Sequence, residues 1–197
     1  MQDGVVARAS RTGEARTRLP ALLTVGTVVW LASELMFFGG LFAAYFTLRA
    51  ETAVWPPDDV SLETAASAVF TVVLIVSSGT IHLAGKALER GDRAAVQRWI
   101  LVTFLLGALF LANQIREFLS LDFSISSHAY GSVYFLMTGF HGLHVAAGLA
   151  LLLIGLAMLI NAGTLERRTP AVESVTYYWH FVDVVWVGLF VTIFMIR

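Results

Sequence analysis

The run AYGSVYFLMTGFHGLHVAAGLALLLIGLAMLI, Ala129 to Ile160, spans 32 positions without a formally charged residue. A hydrocarbon layer of ~30 Å needs about 20 apolar residues in helical form, so a stretch of this length reads as a helix that crosses a membrane. Four further windows share the pattern: Pro20 to Leu48, Thr64 to Gly85, Trp99 to Ile115 and Ser174 to Ile196. Only Glu34 and Asp183 carry a formal charge inside the five windows. The whole chain agrees, with 57% hydrophobic and 14% charged residues and a mean hydropathy of +0.75. A soluble globular domain carries more charge than this. The expected fold is therefore all-α, an integral membrane bundle of five transmembrane helices over residues 20–197, preceded by a polar cytoplasmic tail at 1–19.

Charge sets the expected orientation. Of the 13 Lys and Arg, Arg8, Arg11, Arg16 and Arg18 precede the first window, Lys86, Arg90, Arg93 and Arg98 surround the second connection, and Arg167 and Arg168 lie in the fourth. With five spans all of these fall on one side, leaving Arg49, Arg116 and Arg197 on the other. Cytoplasmic loops retain basic residues, so the amino terminus is expected inside and the carboxyl terminus outside. A polar tail followed by a full-length span is not the pattern of a cleaved secretory signal. With no cysteine in the chain, disulfides, thiolate metal sites and a cysteine nucleophile are excluded. A net charge of −1 argues against a nucleic-acid partner, and the basic tail suits anionic lipid headgroups.

The connections are informative in part. Gly91-Asp92 reads as the tight turn of a short second connection, making spans two and three antiparallel neighbours. In RAETAVWPPDDVSLE, Ser61 and Glu63 are expected to cap the second span, and Trp55 to sit at interface depth. Small residues at Gly39-Gly40-Ala43-Ala44, Ser77-Ser78-Gly79 and Gly139-Gly142-Gly148 are expected to permit close helix approach.

An ionisable side chain at the centre of a transmembrane helix costs at least ~2.5–3.5 kcal/mol, so each needs a partner or a purpose. Glu34 is sixteen residues from Arg18 and fifteen from Arg49, which at about 1.5 Å per residue puts it near the midplane. It suits a hydrogen bond to a neighbouring helix, or a proton- or lipid-linked role. His141 and His144 are three residues apart, as are His180 and Asp183. A metal centre would need further carboxylates in Glu-x-x-His spacing, and a haem would need a bundle large enough to enclose it. Interhelical hydrogen bonds are the expected role, with Asp183 pairing to a histidine or an aromatic N–H; metal ligation is the alternative. Ser77, Ser78, Thr80 and His82 form a polar patch whose hydroxyls are expected to bond carbonyls of their own helix. Gln114, Arg116 and Glu117 read as solvated anchoring at the end of the third span. Trp30, Trp99, Tyr177, Tyr178 and Trp179 read as belt and packing residues.

Taken together, ASELMFFGGLFAAYFTLR (32–49), SSGTIHLA (77–84), YGSVYFLMTGFHGLHVAAGL (130–149) and YYWHFVDVVWVGLF (177–190) resemble subunit III of the haem-copper cytochrome c oxidases, over nearly the whole chain from Leu31 onward. The resemblance implies a subunit without a catalytic residue, metal or cofactor of its own. Haem and copper are expected in partner subunits, and bound phospholipid in this one. Glu34 falls on the family's carbodiimide-reactive intramembrane glutamate. His141, His144, His180 and Asp183 fall on the polar motif positions of its last two helices, and with Ser78, His82 and Glu117 make up an expected structural polar network. The implied partners are catalytic subunit I, the other oxidase subunits, membrane lipids and, in a supercomplex, a bc-type complex. The implied setting is the bacterial cell membrane, and the implied role is to stabilise the catalytic subunit and support proton uptake and oxygen access. Longer family members have seven spans, the first two without a counterpart here. Three alternatives stand beside this reading: a quinol oxidase or nitric oxide reductase component, a free-standing proton-coupled carrier, and an intramembrane metalloenzyme.

Overall fold

The computed structural model describes residues 22–58, 60–160 and 169–196. Five helices account for almost all of them: α1 (Leu22–Glu51), α2 (Thr64–Glu89), α3 (Arg93–Ser120), α4 (Ala129–Ile160) and α5 (Thr169–Phe190), the last running into a π turn, Val191–Met195. Each is long and apolar enough to cross a membrane. With no water to satisfy backbone groups, a helix that bonds its own amides is the form such segments adopt. The helices outrun the apolar windows, α3 beginning at Arg93 and ending at Ser120. Hydropathy marks the hydrocarbon, whereas backbone hydrogen bonding continues into the interface. The polar tail and the Arg167-Arg168 connection lie outside the described residues, as does Arg197.

Side-chain contacts set the topology. Trp30, Phe38 and Tyr45 of α1 meet Tyr178, Phe181 and Thr192 in the same order, so α1 and α5 run parallel. Thr71 and Ser77 of α2 meet Trp186 and Trp179 in reverse order, so α2 runs against α5. Glu34 and Phe37 meet His144 and Phe140, so α4 runs against α1. The α2–α3 pair is antiparallel, with Ser67 near Glu117 and Thr80 near Thr103. α5 is the hub, packing on α1, α2 and α4, while α3 closes the bundle against α2 and α4.

The α2–α3 turn follows the expected chemistry. Gly91 has a φ of +71°, a left-handed conformation that side chains with a Cβ resist, and it ends α2. Asp92 then caps α3, its carboxylate accepting from the Ala95 amide at 3.0 Å. The start of α2 differs from expectation. Glu63 occupies the cap position without a side-chain cap bond, because its carboxylate is drawn to Arg116 on α3, 3.1 Å away. At α4 the cap is an imidazole, His128 Nδ1 accepting from the Gly131 amide at 2.8 Å.

Trp179 is the keystone of the core. Fully buried, it donates its indole N–H to Ser77 Oγ on α2 at 2.9 Å while its ring lies over Gly107 of α3 and Gly148 of α4. A Cβ at Gly107 would stand 2.4 Å from the ring, and one at Gly148 2.9 Å. Close approach therefore occurs where a glycine admits an indole. The expectation for Gly39, Gly40, Gly79 and Gly139 is corrected, since nothing lies within 4 Å of a Cβ at any of them. Gly39 and Gly40 are on the exposed side of α1. The π turn is held to α1 by Tyr45, whose hydroxyl donates to the Thr192 carbonyl at 3.2 Å. Widened turns free carbonyls for outside donors in this way.

Candidate functional site: polar groups between the helices

The polar groups fall into three sets. The first joins α1, α4 and α5. His144 Nδ1 lies 2.7 Å from the Phe140 carbonyl. A carbonyl only accepts, so Nδ1 carries the hydrogen. The other ring nitrogen, Nε2, is 3.2 Å from Glu34 Oε2. That contact needs a hydrogen from one side or the other: an imidazolium donating to a carboxylate, or a carboxylic acid donating to a neutral imidazole. In either form the pair holds one transferable proton between them. The side chains are 15% and 23% exposed for His144 and Glu34, so the pair sits at the flank of the bundle, open toward whatever borders α1. Tyr178 donates to the His144 carbonyl at 3.0 Å and stacks on Trp30 at 5.4 Å. Phe38 stands edge-on to the imidazole, 5.1 Å away. Beside Trp30 and Tyr178 an apolar cavity of about 270 Å³ opens between α1, α4 and α5, with Leu151, Met158 and Val175 in its walls.

The second set lies between α2 and α5. Ser78 Oγ is 2.6 Å from His180 Nδ1, Trp179 bonds Ser77, and Trp186 donates to Thr71 Oγ1 at 2.9 Å. Ser77 and Thr80 also bond carbonyls of their own helix at 2.6 and 2.8 Å, as expected for hydroxyls in such helices. Thr80 bridges to Thr103 of α3 at 2.7 Å besides. Two expectations fail here. Asp183 is buried and pairs with neither a histidine nor an indole among the described residues, the hydroxyl beside it being that of Ser78; the indole N–H groups of Trp179 and Trp186 are taken by Ser77 and Thr71. His141 is fully buried and bonds through neither nitrogen. It is wedged between Phe110 and Trp186, with ring centroids 6.0 and 5.0 Å away, and serves there as an aromatic plate. Three residues are about 300° of helix, so His141 and His144 diverge by about 60°. One faces α3 and α5, the other α1.

The third set is at the far end of α3. Glu117 is 5% exposed, its carboxylate accepting from Tyr134 at 3.2 Å and from Ser67 at 3.3 Å. Its reading as solvated anchoring with Arg116 is corrected. Consecutive helical residues point about 100° apart, and Arg116 turns outward to Glu63 and to Asn113 Oδ1, both at 3.1 Å. The α1–α2 loop folds over this end, with Trp55 packed edge-on between Tyr45 and Tyr130. Among the aromatics read as a belt, Trp179 and Tyr178 are core, whereas Tyr177 and Trp30 are exposed. Trp99 packs beneath the Arg98 guanidinium at 5.8 Å. Thr71, Ser67, Tyr134, Trp186 and His128 escaped the sequence reading, since a hydroxyl or an indole inside an apolar run has no local mark of its partner.

No group of three or more His, Asp or Glu stands close enough among the described residues to hold a metal ion. The ionisable groups are instead dispersed pairwise over different helix faces.

The model of the family described as cytochrome c oxidase subunit III matches residues 2–196. Similar proteins include the "Probable cytochrome c oxidase subunit 3" of Nocardia farcinica, 46% identical over 186 residues and covering 90% of each chain. The "Cytochrome c oxidase subunit 3" of Corynebacterium diphtheriae is 44% identical over 184 residues, again covering 90% of each. That of Thermostichus vulcanus is 35% identical over 178 residues, covering 90% of this chain and 89% of the relative. With the family model covering nearly its full length and relatives of matching extent, the chain belongs to the cytochrome c oxidase subunit III family.

Proposed function

We propose that the chain is the accessory subunit III of a bacterial terminal oxidase that takes electrons from cytochrome c, embedded in the cell membrane with its amino terminus inside. It packs against the catalytic subunit, which supplies haem and copper, and acts through bound lipid and proton exchange. The relatives named as cytochrome c oxidase subunits favour that donor over quinol. The observation that carries the proton-linked part is the Glu34–His144 contact, 3.2 Å long and reached from the flank of α1. An acid held by one imidazole, with the other imidazole nitrogen anchored to a carbonyl, is a group that gains and loses a proton with little rearrangement. The adjoining apolar cavity, with Trp30 and Tyr178 at its wall, suits a phospholipid acyl chain whose headgroup would lie by the basic connections.

The test is the purified oxidase carrying Glu34→Ala. Normal assembly with haem-bearing subunits, but a shorter catalytic lifetime or slower proton uptake, is the expected outcome. Unchanged uptake and lifetime through prolonged turnover would remove Glu34 from this role. Purification as a lone polypeptide, without haem-bearing chains, would remove the oxidase reading itself.

A further inference from the structure

The connection between α3 and α4, residues 121–128, is seated on the start of α4 by an imidazole. His128 Nδ1 accepts from the Gly131 amide at 2.8 Å, three residues on, where the side chain of a capping residue satisfies a free amide of the first turn. An imidazole nitrogen that accepts carries no hydrogen, so the hydrogen of the neutral ring is on Nε2. Nε2 is buried without a hydrogen-bond partner among the described residues. The ring as a whole is half-buried and lies against Phe123 and Tyr130, with centroids 5.3 and 6.1 Å away. Gly131 lets the connection come this close, since a Cβ there would stand 2.6 Å from the Ser124 carbonyl oxygen and 3.4 Å from His128 Cε1. The other ties of the segment are hydroxyl bonds, which do not titrate. Ser132 donates to the Ile125 carbonyl at 2.6 Å, and Ser127 Oγ accepts from the Ser124 amide at 2.9 Å.

We propose that His128 is a proton-operated latch, holding this connection on α4 while the ring is neutral and releasing it when the ring is charged. An imidazolium has a hydrogen on both nitrogens, so it can no longer accept from Gly131. Two N–H groups would then face each other, and a positive charge would sit at the positive end of the α4 dipole. Swinging the charged ring into water relieves both. The seated state binds one proton fewer than the released state, so seating is favoured as pH rises and lost as pH falls through the range in which imidazole titrates. Release uncovers Phe123, which is 8% exposed and packs 5.6 Å from the Tyr134 ring. Tyr134 is the donor to Glu117, so the latch adjoins the tie between α3 and α4. Other titratable groups at this end are engaged elsewhere or turned outward. Glu117 is bonded to Tyr134 and Ser67, and Arg116 of α3 is paired with Glu63. Asp122 of the same connection is exposed, as are Glu51 and Asp58 before α2. Among the described residues none of these forms an ion pair with His128.

Which compartment the latch senses rests on the orientation proposed above; the latch itself does not. The experiment is hydrogen–deuterium exchange of the full chain, purified from its membrane with the subunits that accompany it. It is read in peptides covering residues 121–135, corrected at each pH for the intrinsic amide rate. The parent should lose protection in the first turn of α4 by about fivefold between about pH 7.5 and 5.5, the effect of losing a helix cap. H128N keeps an acceptor that does not titrate, and asparagine is a favoured capping residue, so its protection should be the same at both ends of the range. H128A has no acceptor, and at the higher pH it should be as weakly protected as the parent is at the lower. A parent whose protection does not change with pH, or an H128N that loses protection as the parent does, would overturn the proposal. The parent and H128N decide the matter by themselves should H128A fail to accumulate.

Discussion

Glu34 and Glu117 are both carboxylates within membrane-spanning helices, and they are held in opposite ways. Glu117 is sealed between α2, α3 and α4, with a hydroxyl donating to each oxygen. Glu34 lies at the flank of α1 with one contact, an imidazole nitrogen that accepts or donates according to where the proton resides. Hydroxyls of tyrosine and serine donate to a carboxylate without taking its charge, so the Glu117 site binds helices together. The Glu34 contact shares one hydrogen between two ionisable groups. The difference lies in the type and number of partners, since both residues are acids in apolar surroundings.

Four substitutions and one double-mutant cycle sharpen this contrast, in falling order of expected effect on stability. Glu117→Ala strands the Tyr134 and Ser67 hydroxyls in the core and leaves a cavity. A loss of about 2–4 kcal/mol is expected, measured by reversible unfolding in detergent; a loss below ~1 kcal/mol would mean that the carboxylate is not a structural tie. Tyr134→Phe removes one of the two donors, and by the range found for hydrogen bonds between membrane helices it should cost about 0.6–1.7 kcal/mol. Glu34→Ala breaks one partly exposed contact, so its stability should stay within about 1 kcal/mol of the parent while turnover lifetime changes, the reverse of Glu117→Ala. A double-mutant cycle between Glu34→Ala and His144→Ala should give a coupling of about 0.6 kcal/mol. Coupling of several kcal/mol would instead place the pair with Glu117 as a structural tie. At the bottom of the series, Arg116→Ala removes an ion pair whose side chains are 56% and 62% exposed. Such pairs contribute at most about 1 kcal/mol, and a larger loss would show that the α2–α3 end is braced electrostatically.

How much of this was legible depends on the range of the interaction that decides each feature. The five spans, the Gly91-Asp92 turn and the self-bonding of Ser77 and Thr80 depend on residues within a few positions of one another, and each was readable. That Glu34 needs a partner on another helix was also readable, from the cost of an acid in hydrocarbon. That the partner is His144 was not, because the two are 110 residues apart and nothing in either helix names the other. Glu117 shows the converse. Adjacency to Arg116 in the chain suggested a solvated pair, whereas helical rotation sends one side chain outward and the other into the core. Asp183 was expected to pair with a histidine or an aromatic N–H, but the indoles Trp179 and Trp186 are engaged by hydroxyls on α2 and His180 Nδ1 faces Ser78.

The sequence by itself determined that this chain lives in a membrane, how many times it crosses, where its tightest turn falls and which family it resembles. Apolar length, turn chemistry and motif order are local properties that do not depend on how the helices are arranged. The tertiary structure decided which face each histidine presents, that Gly107 and Gly148 rather than Gly39 and Gly40 admit a close neighbour, and that the two acids meet partners of different kinds. Those outcomes depend on the rotation of each helix about its own axis. In hydrocarbon that rotation is set by packing and hydrogen bonds with partners far away in the chain, since every apolar face is equally compatible with lipid.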